Sequence, residues 1–161
     1  MLKTARAAAA VALVGLVFGA CGNGDDEEAA GDGGRTVGMT LQEWAVVPDA
    51  SSVAAGEVTF DIANTGEETH EFVVIQTDLG ALDLPTAEDG SVDEEAEDLE
   101  VIDEVEDIAA GDEATLTVDL EAGHYVLVCN IVEEEMEMEE MEMEHDPSHF
   151  QSGMRADFTV E

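Results

Sequence analysis

Basic residues are almost missing from this chain. Its 161 residues include 4 Lys and Arg against 41 Asp and Glu, a formal net charge of −37. Lys3 and Arg6 lie in a segment expected to be removed, so only Arg35 and Arg155 face the 41 acids in the remainder. A surface so short of cations excludes nucleic acid and direct adhesion to anionic lipid, since both attract positive charge. It suits a basic protein partner, metal cations or a high-salt setting, and composition does not choose among them. Cysteine is scarce too, with Cys21 and Cys129 alone. If Cys21 is modified, Cys129 has no intramolecular disulfide partner. A lone cysteine in an exported chain is a small buried hydrophobe, an intermolecular link or a functional thiolate. Also lacking is an apolar run of the ~20 residues that a membrane-spanning helix needs; Ala7–Phe18 is too short.

What the N-terminus does hold is ordered like an export signal. Lys3 and Arg6 precede the apolar run, and Gly19-Ala20 supply small residues at a cleavage site. The segment VFGAC resembles the lipobox of bacterial lipoproteins, with Phe18 standing where Leu, Val or Ile is usual. Residues 1–20 are therefore expected to be a lipoprotein-type signal peptide and Cys21 the lipidated residue. Residues 21–34, Cys21 followed by GNGDDEEAAGDGG, read as a flexible acidic linker. Its root-mean-square span is about 20 Å on the Gly-rich coil estimate.

From residue 35 to 161 the pattern changes to short alternating runs. Val37, Met39 and Leu41 suggest a first strand; Trp44 and Val46-Val47 follow, and Pro48-Asp49 reads as a turn. EVTFDIAN places Val58, Phe60 and Ile62 on one face, and Asn64-Thr65-Gly66 turns the chain. HEFVVIQT is apolar on both faces and reads as a central strand covered on each side. Residues 88–107 hold 12 acids in 20 positions. Ser91 with Glu94 has capping-box spacing, and Val101, Val105 and Ile108 form a thin stripe at i, i+4, i+7. No base offsets repulsion between acids at i, i+4, so this segment is expected to be an acidic insertion carrying a weak helix or a solvated loop. EATLTVDL alternates, and YVLVCNIV puts Tyr125, Leu127 and Cys129 on one face and Val126, Val128 and Asn130 on the other. ADFTVE suits a final edge strand. Short strands, frequent turns and little helix make an all-β sandwich with acidic insertions.

Four side chains in this frame carry chemistry. Cys129 ends a strand, His149 and Met154 lie in the connection after it, and His70 opens a different strand. Thiolate, imidazole and thioether are donors that soft copper sites prefer, and two imidazoles with one thiolate and a weak thioether suit both copper(I) and copper(II). Little then rearranges when one electron moves, and strand ends of a rigid sandwich hold the donors in place.

NTGEETHEF, GHYVLVCNI, HFQSGM and a closing FTV strand together resemble the blue copper proteins of the cupredoxin superfamily, over roughly Trp44 to Glu161. The resemblance implies a Greek-key β-sandwich holding one type 1 copper per chain. It makes His70 the upstream histidine, Cys129 the thiolate, His149 the second histidine and Met154, five residues later, the axial ligand. His145 is the rival to His149, which the family spacing to methionine favours; His124 is expected to be a turn or surface histidine. The departure is in the connection, where 19 residues separate Cys129 from His149 and the family usually has only a few. Loop closure entropy rises slowly with length, so the site tolerates the insert, which leaves room for a looser His149–Met154 geometry.

Residues 133–146 contain nine acids, four methionines and one histidine. Met136, Met138, Met141 and Met143 form a single stripe at neither the helix nor the strand period, so the run is not core. It reads as a solvated loop, or as a second, labile metal site in which the four thioethers and His145 recruit copper(I).

The leading expectation is an exported electron carrier, periplasmic or lipid-anchored at the outer face of the cell membrane. Its membrane contact is through the lipid only, and it docks a redox partner with a basic patch. The alternatives are a copper storage or delivery protein using the Met/Glu/His run, and an accessory domain of a larger assembly. Enzymatic activity is not expected, because four protein ligands leave no open position on the metal.

Overall fold

The computed structural model of the protein describes residues 35–133 and 148–161. The signal segment, Cys21 and the whole of the linker lie outside the described residues, as do Met136, Met138, Met141, Met143 and His145.

Nine strands build two mixed sheets. The first has the order β2 (Ala45–Pro48), β1 (Arg35–Gln42), β4 (Gly56–Asn64), β7 (Glu113–Leu120). The second runs β3 (Ser52–Val53), β9 (Arg155–Val160), β8 (Gly123–Val128), β5 (His70–Gln76), β6 (Glu100–Ile108). Neighbours are antiparallel except for β1 with β4 and β3 with β9. The chain crosses repeatedly from one sheet to the other, as a Greek key requires. The expected all-β sandwich is what forms, and the single described helix is a four-residue turn, α1 (His149–Ser152).

Alternation in the sequence becomes two faces. Val37, Met39, Val58, Phe60, Ile62, Leu116 and Val118 of the first sheet meet Phe72, Val74, Tyr125, Leu127 and Phe158 of the second in one buried core. Phe60 crosses the layer, with ring centroids 5.2 Å from Phe72 and 5.8 Å from Phe158. Removing a phenyl side chain of this kind from water contributes roughly 1.5–3 kcal/mol.

The doubly apolar β5 is explained by a second, smaller core. Val73, Ile75, Val126 and Val128 point away from the first sheet and are covered by Ala81, Leu84 and Val92, with Phe150 beside them. The covering side chains come from the β5–β6 connection, residues 77–99. This segment is held by hydrogen bonds rather than by regular structure. Thr77 Oγ1 donates to the Asp98 carbonyl (2.9 Å), and Ala81 N donates to Asp157 Oδ1 (2.8 Å). Val92 N donates to Asn130 Oδ1 (2.6 Å).

Three local expectations are corrected. Residues 88–107 contain no helix: Val101, Val105 and Ile108 belong to β6, paired with Ile75, Phe72 and His70. Ser91 bonds Asp89, two residues back, rather than closing a box with Glu94. An extended strand suits Val and Ile and sends successive carboxylates to opposite faces, whereas a helix stacks them at i, i+4. β9 is not an edge, because the two-residue β3 pairs along its outer side through Ser52↔Thr159 and Val53↔Val160. Pro48 stands in β2 opposite Met39 instead of turning the chain.

The turn before His70 is fixed by one buried amide. Asn64 Nδ2 donates to the carbonyls of Glu68 (2.7 Å) and Ile108 (2.8 Å), and its Oδ1 accepts from Gly66 N (3.0 Å). Asn64→Ala strips partners from two carbonyls and one N–H at a position only 2% exposed. The Ile108 carbonyl is the buried one of the three, and an unsatisfied buried group costs about 1–3 kcal/mol, so urea unfolding of the variant should show a loss of that size.

Candidate metal centre

β5 and β8 deliver His70 and Cys129 to the same end of the sandwich. Cys129 continues β8 by donating its N–H to the Met154 carbonyl (3.1 Å). The segment between them returns through His149, whose N–H donates to the Ile131 carbonyl (2.9 Å), and an isolated bridge joins Val132 to Ser148. Ser148 then caps α1 by accepting from Gln151 N, and its hydroxyl donates to the Gly90 carbonyl (2.8 Å). Gly153 ends the turn at φ 127°, a conformation that favours glycine, and a Cβ there would come within 2.9 Å of the Trp44 carbonyl. Arg155 closes the connection: its guanidinium donates to the Phe150 carbonyl (2.6 Å) and lies 4.9 Å from that ring's centre.

Three donor atoms converge as a result. His149 Nδ1 lies 3.4 Å from Cys129 Sγ and 3.2 Å from His70 Nδ1, and His70 Nδ1 lies 3.9 Å from Sγ. All three side chains are buried. A point in their plane about 2 Å from each atom exists, and first-row metal bonds to imidazole and thiolate run roughly 2.0–2.3 Å. The group can therefore hold a metal ion. Met154 is fully buried and bonded through its backbone to both Cys129 and His149 (Met154 N to the His149 carbonyl, 3.0 Å). His124 is at the opposite end of the sheet, in β8 rather than in a turn, with Nδ1 donating to the Thr77 carbonyl (2.9 Å) and Nε2 3.2 Å from Asp157.

The surrounding groups prepare the donors. Glu43 Oε1 accepts from the N–H groups of Glu67 and Glu68, both at 2.9 Å, and from His70 Nε2 at 3.2 Å. With Nε2–H donating to Glu43, the lone pair of His70 stands on Nδ1, facing Cys129. Burial opposes the Glu43 charge, but the hydrogen bonds to the amides of residues 68, 43 and 67 and the nearby His70 outweigh it, and its pKa is lowered. Burial also lowers the His70 pKa, against the pull of Glu43, so the imidazole is neutral. Burial pushes the Cys129 thiol up to about 11, although the amides of Glu71 and Ile131 favour the thiolate. A metal ion binding at neutral pH must therefore displace the thiol proton.

Glu71 ties the two halves together. Its N–H points at Cys129 Sγ (3.4 Å) and its carboxylate accepts from Asn130 N (2.7 Å). Burial first, then the charges of Glu94, Glu104 and Glu106, push its carboxyl up to about 7, with the Asn130 hydrogen bond acting against the shift. Neither glutamate was foreseen from the sequence: in a chain with 41 acids, two structural carboxylates have no local signature. Trp44, in the turn after β1, likewise carries no local sign of its contact with the site. Its ring stands edge-on to His149, with centroids 4.9 Å apart at 71°.

A sandwich of this strand order, with a buried Cys and two His gathered at one end, has the cupredoxin fold. No family model matches the chain, and no curated protein matches it in sequence. Among solved structures it is similar to dithionite-reduced auracyanin from the photosynthetic bacterium Roseiflexus castenholzii. The two share 19% identity at a TM-score of 0.51, over 80% of this chain and 99% of that one. It is also similar to auracyanin A, a "blue" copper protein of the green thermophilic photosynthetic bacterium Chloroflexus aurantiacus. There the identity is 18% and the TM-score 0.50, over 80% of this chain and 100% of that one.

Two outcomes are expected of the carboxylates. Glu43→Gln, which removes the charge behind His70, should weaken metal binding by roughly 10- to 100-fold in competition with a chelator. Glu71 has a raised folded-state pKa, so its contribution to stability is complete below the ordinary carboxylate range and is lost as pH rises through about 7. Thermal unfolding of the metal-free chain should therefore fall between pH 5 and pH 8, and Glu71→Gln should flatten that fall.

Proposed function

We propose that the protein is an extracytoplasmic type 1 copper protein that passes single electrons between redox partners. The observation that carries this reading is the buried triangle of His70 Nδ1, Cys129 Sγ and His149 Nδ1, with sides of 3.2–3.9 Å. The donor chemistry fits copper: two imidazoles and one soft thiolate, to which the buried Met154 thioether would add a weak fourth donor. Bound there, copper supplies a one-electron couple. The chain's own residues hold the donors still: Glu43 sets the tautomer of His70, Glu71 points its N–H at the Cys129 sulfur, and the Ile131–His149 bond fixes the return of the connection. Burial of all three donors excludes water and keeps the surroundings alike in both oxidation states. A full set of protein donors leaves no position for substrate, which favours a carrier over an enzyme.

The likeness to auracyanin A, named a "blue" copper protein, supports the same reading. Under it the chain is exported, attached to the outer face of the membrane through a lipid on Cys21, and docks a partner bearing a basic patch, as the net charge of −37 favours.

The test is the visible absorption and paramagnetic resonance of the copper-loaded chain. An intense charge-transfer band that bleaches reversibly on reduction is expected, and Cys129→Ser should abolish it. A chain that binds copper(II) without that band would sink the assignment.

A further inference from the structure

His70 and Cys129 are fully buried and His149 is 1% exposed, so no donor of the triangle offers a face to a partner. An electron entering or leaving must cross a neighbouring side chain that reaches solvent. Among the described residues, the partly exposed ones that contact the donors include Glu43 at His70, Glu71 and Ile131 at Cys129, Glu68 and Glu133 at 3.8 and 3.7 Å from His149 Nε2, and Trp44 against the His149 ring. Four are carboxylates. Of these, only Trp44 presents an aromatic ring; it is half-buried, with the indole edge-on to His149.

Its position is tightly set. Trp44 lies in the turn between β1 and β2, and its carbonyl packs on Gly153 so closely that a Cβ there would clash. Gly153 itself ends the turn that carries His149. The turn that carries His149 is thus packed directly on the Trp44 backbone. The carboxylates cluster on this edge: Glu43 binds the amides of Glu67 and Glu68, and Glu68 and Glu133 both face the outer nitrogen of His149. An indole framed by acids attracts a cationic surface and repels an anionic one.

We infer that Trp44 is the outlet through which electrons pass between His149 and a partner, and that Glu67, Glu68 and Glu133 select a one-electron partner with a basic contact face. The inference rests on the copper reading above. In the oxidising direction one electron would leave by the His149 edge and cross the indole to reduce the one-electron partner, copper(I) becoming copper(II). Trp44 is neither oxidised nor reduced.

The test uses the full-length, copper-loaded, reduced chain, oxidised by a cationic cobalt(III) complex or by anionic ferricyanide in stopped flow. Trp44→Leu should slow both reactions while the absorption spectrum and reduction potential stay unchanged, and Trp44→Phe should recover most of the rate. The combined change of Glu67, Glu68 and Glu133 to Gln should slow the cobalt complex by roughly 10-fold or more at low salt and speed ferricyanide. Both effects should vanish at high salt. Rates indifferent to Trp44→Leu, or falling only together with a changed spectrum, overturn the outlet. A second readout needs no redox chemistry. Trp44 is the only tryptophan, so its emission in the full-length chain should be quenched more by caesium than by iodide, and the triple Gln variant should narrow the gap. Equal quenching by the two ions overturns the acidic frame. A chain with no charge-transfer band instead removes the copper reading itself, which the fluorescence measurement does not depend on.

Discussion

The arrangement depends on a backbone constraint more than on any side chain. The Ile131 carbonyl accepts the His149 N–H, Val132 bridges Ser148, and the Met154 carbonyl accepts the Cys129 N–H. Nineteen residues separate Cys129 from His149 in sequence, yet these contacts bring their donor atoms to 3.4 Å. Pinching the connection at its base removes the length of the run from the geometry of the site. The entropy of closing a longer loop grows only logarithmically, so a few backbone hydrogen bonds offset it. At the backbone the return is tight: Met154 N bonds the His149 carbonyl at 3.0 Å, and both side chains are buried.

Charge is the second organising fact. With so few cations, the protein uses carboxylates where other chains would use neutral or basic groups. Glu43 organises the turn ahead of His70 by accepting two amides and an imidazole, and those hydrogen bonds hold it ionised against burial. Glu71 does similar work across β5 and β8, but beside Glu94, Glu104 and Glu106, and its carboxyl is pushed the other way. The same residue type is thus tuned in opposite directions within one site, by the number of N–H donors in one case and by neighbouring charge and burial in the other. Arg155, one of the two described cations, braces the ligand-bearing turn through Phe150.

Local periodicity made much of this legible. Val58, Phe60 and Ile62, or Tyr125, Leu127 and Cys129, declare a buried face within a few residues, and the core contains those sets. The donor types and the five-residue step from His149 to Met154 are equally local, and His70, Cys129 and His149 do stand together. What needed the third dimension is of another kind. The stripe at Val101, Val105 and Ile108 fits a helix on paper; pairing with β5 and repulsion between stacked acids decide for a strand. The neighbour of β9 is a two-residue strand too short to carry a pattern. Glu43 lies 27 residues before its histidine, and Trp44 touches a ring more than a hundred positions downstream.

The cover formed by residues 77–99 has a mechanical consequence. It shields the outer side of Val73, Ile75, Val126 and Val128, and it is stitched to the two ends of the Cys129–His149 connection through Ser148 to Gly90 and Asn130 to Val92 and Glu94. It has only one isolated bridge, Thr86 to Val92, in place of a continuous ladder. Such a segment peels before a sheet does. Peeling would loosen the histidine turn while the two sheets stay zipped, so sub-global opening and global melting are separable events. Amide exchange resolved along the chain would see the rim breathe long before the paired sheets let go.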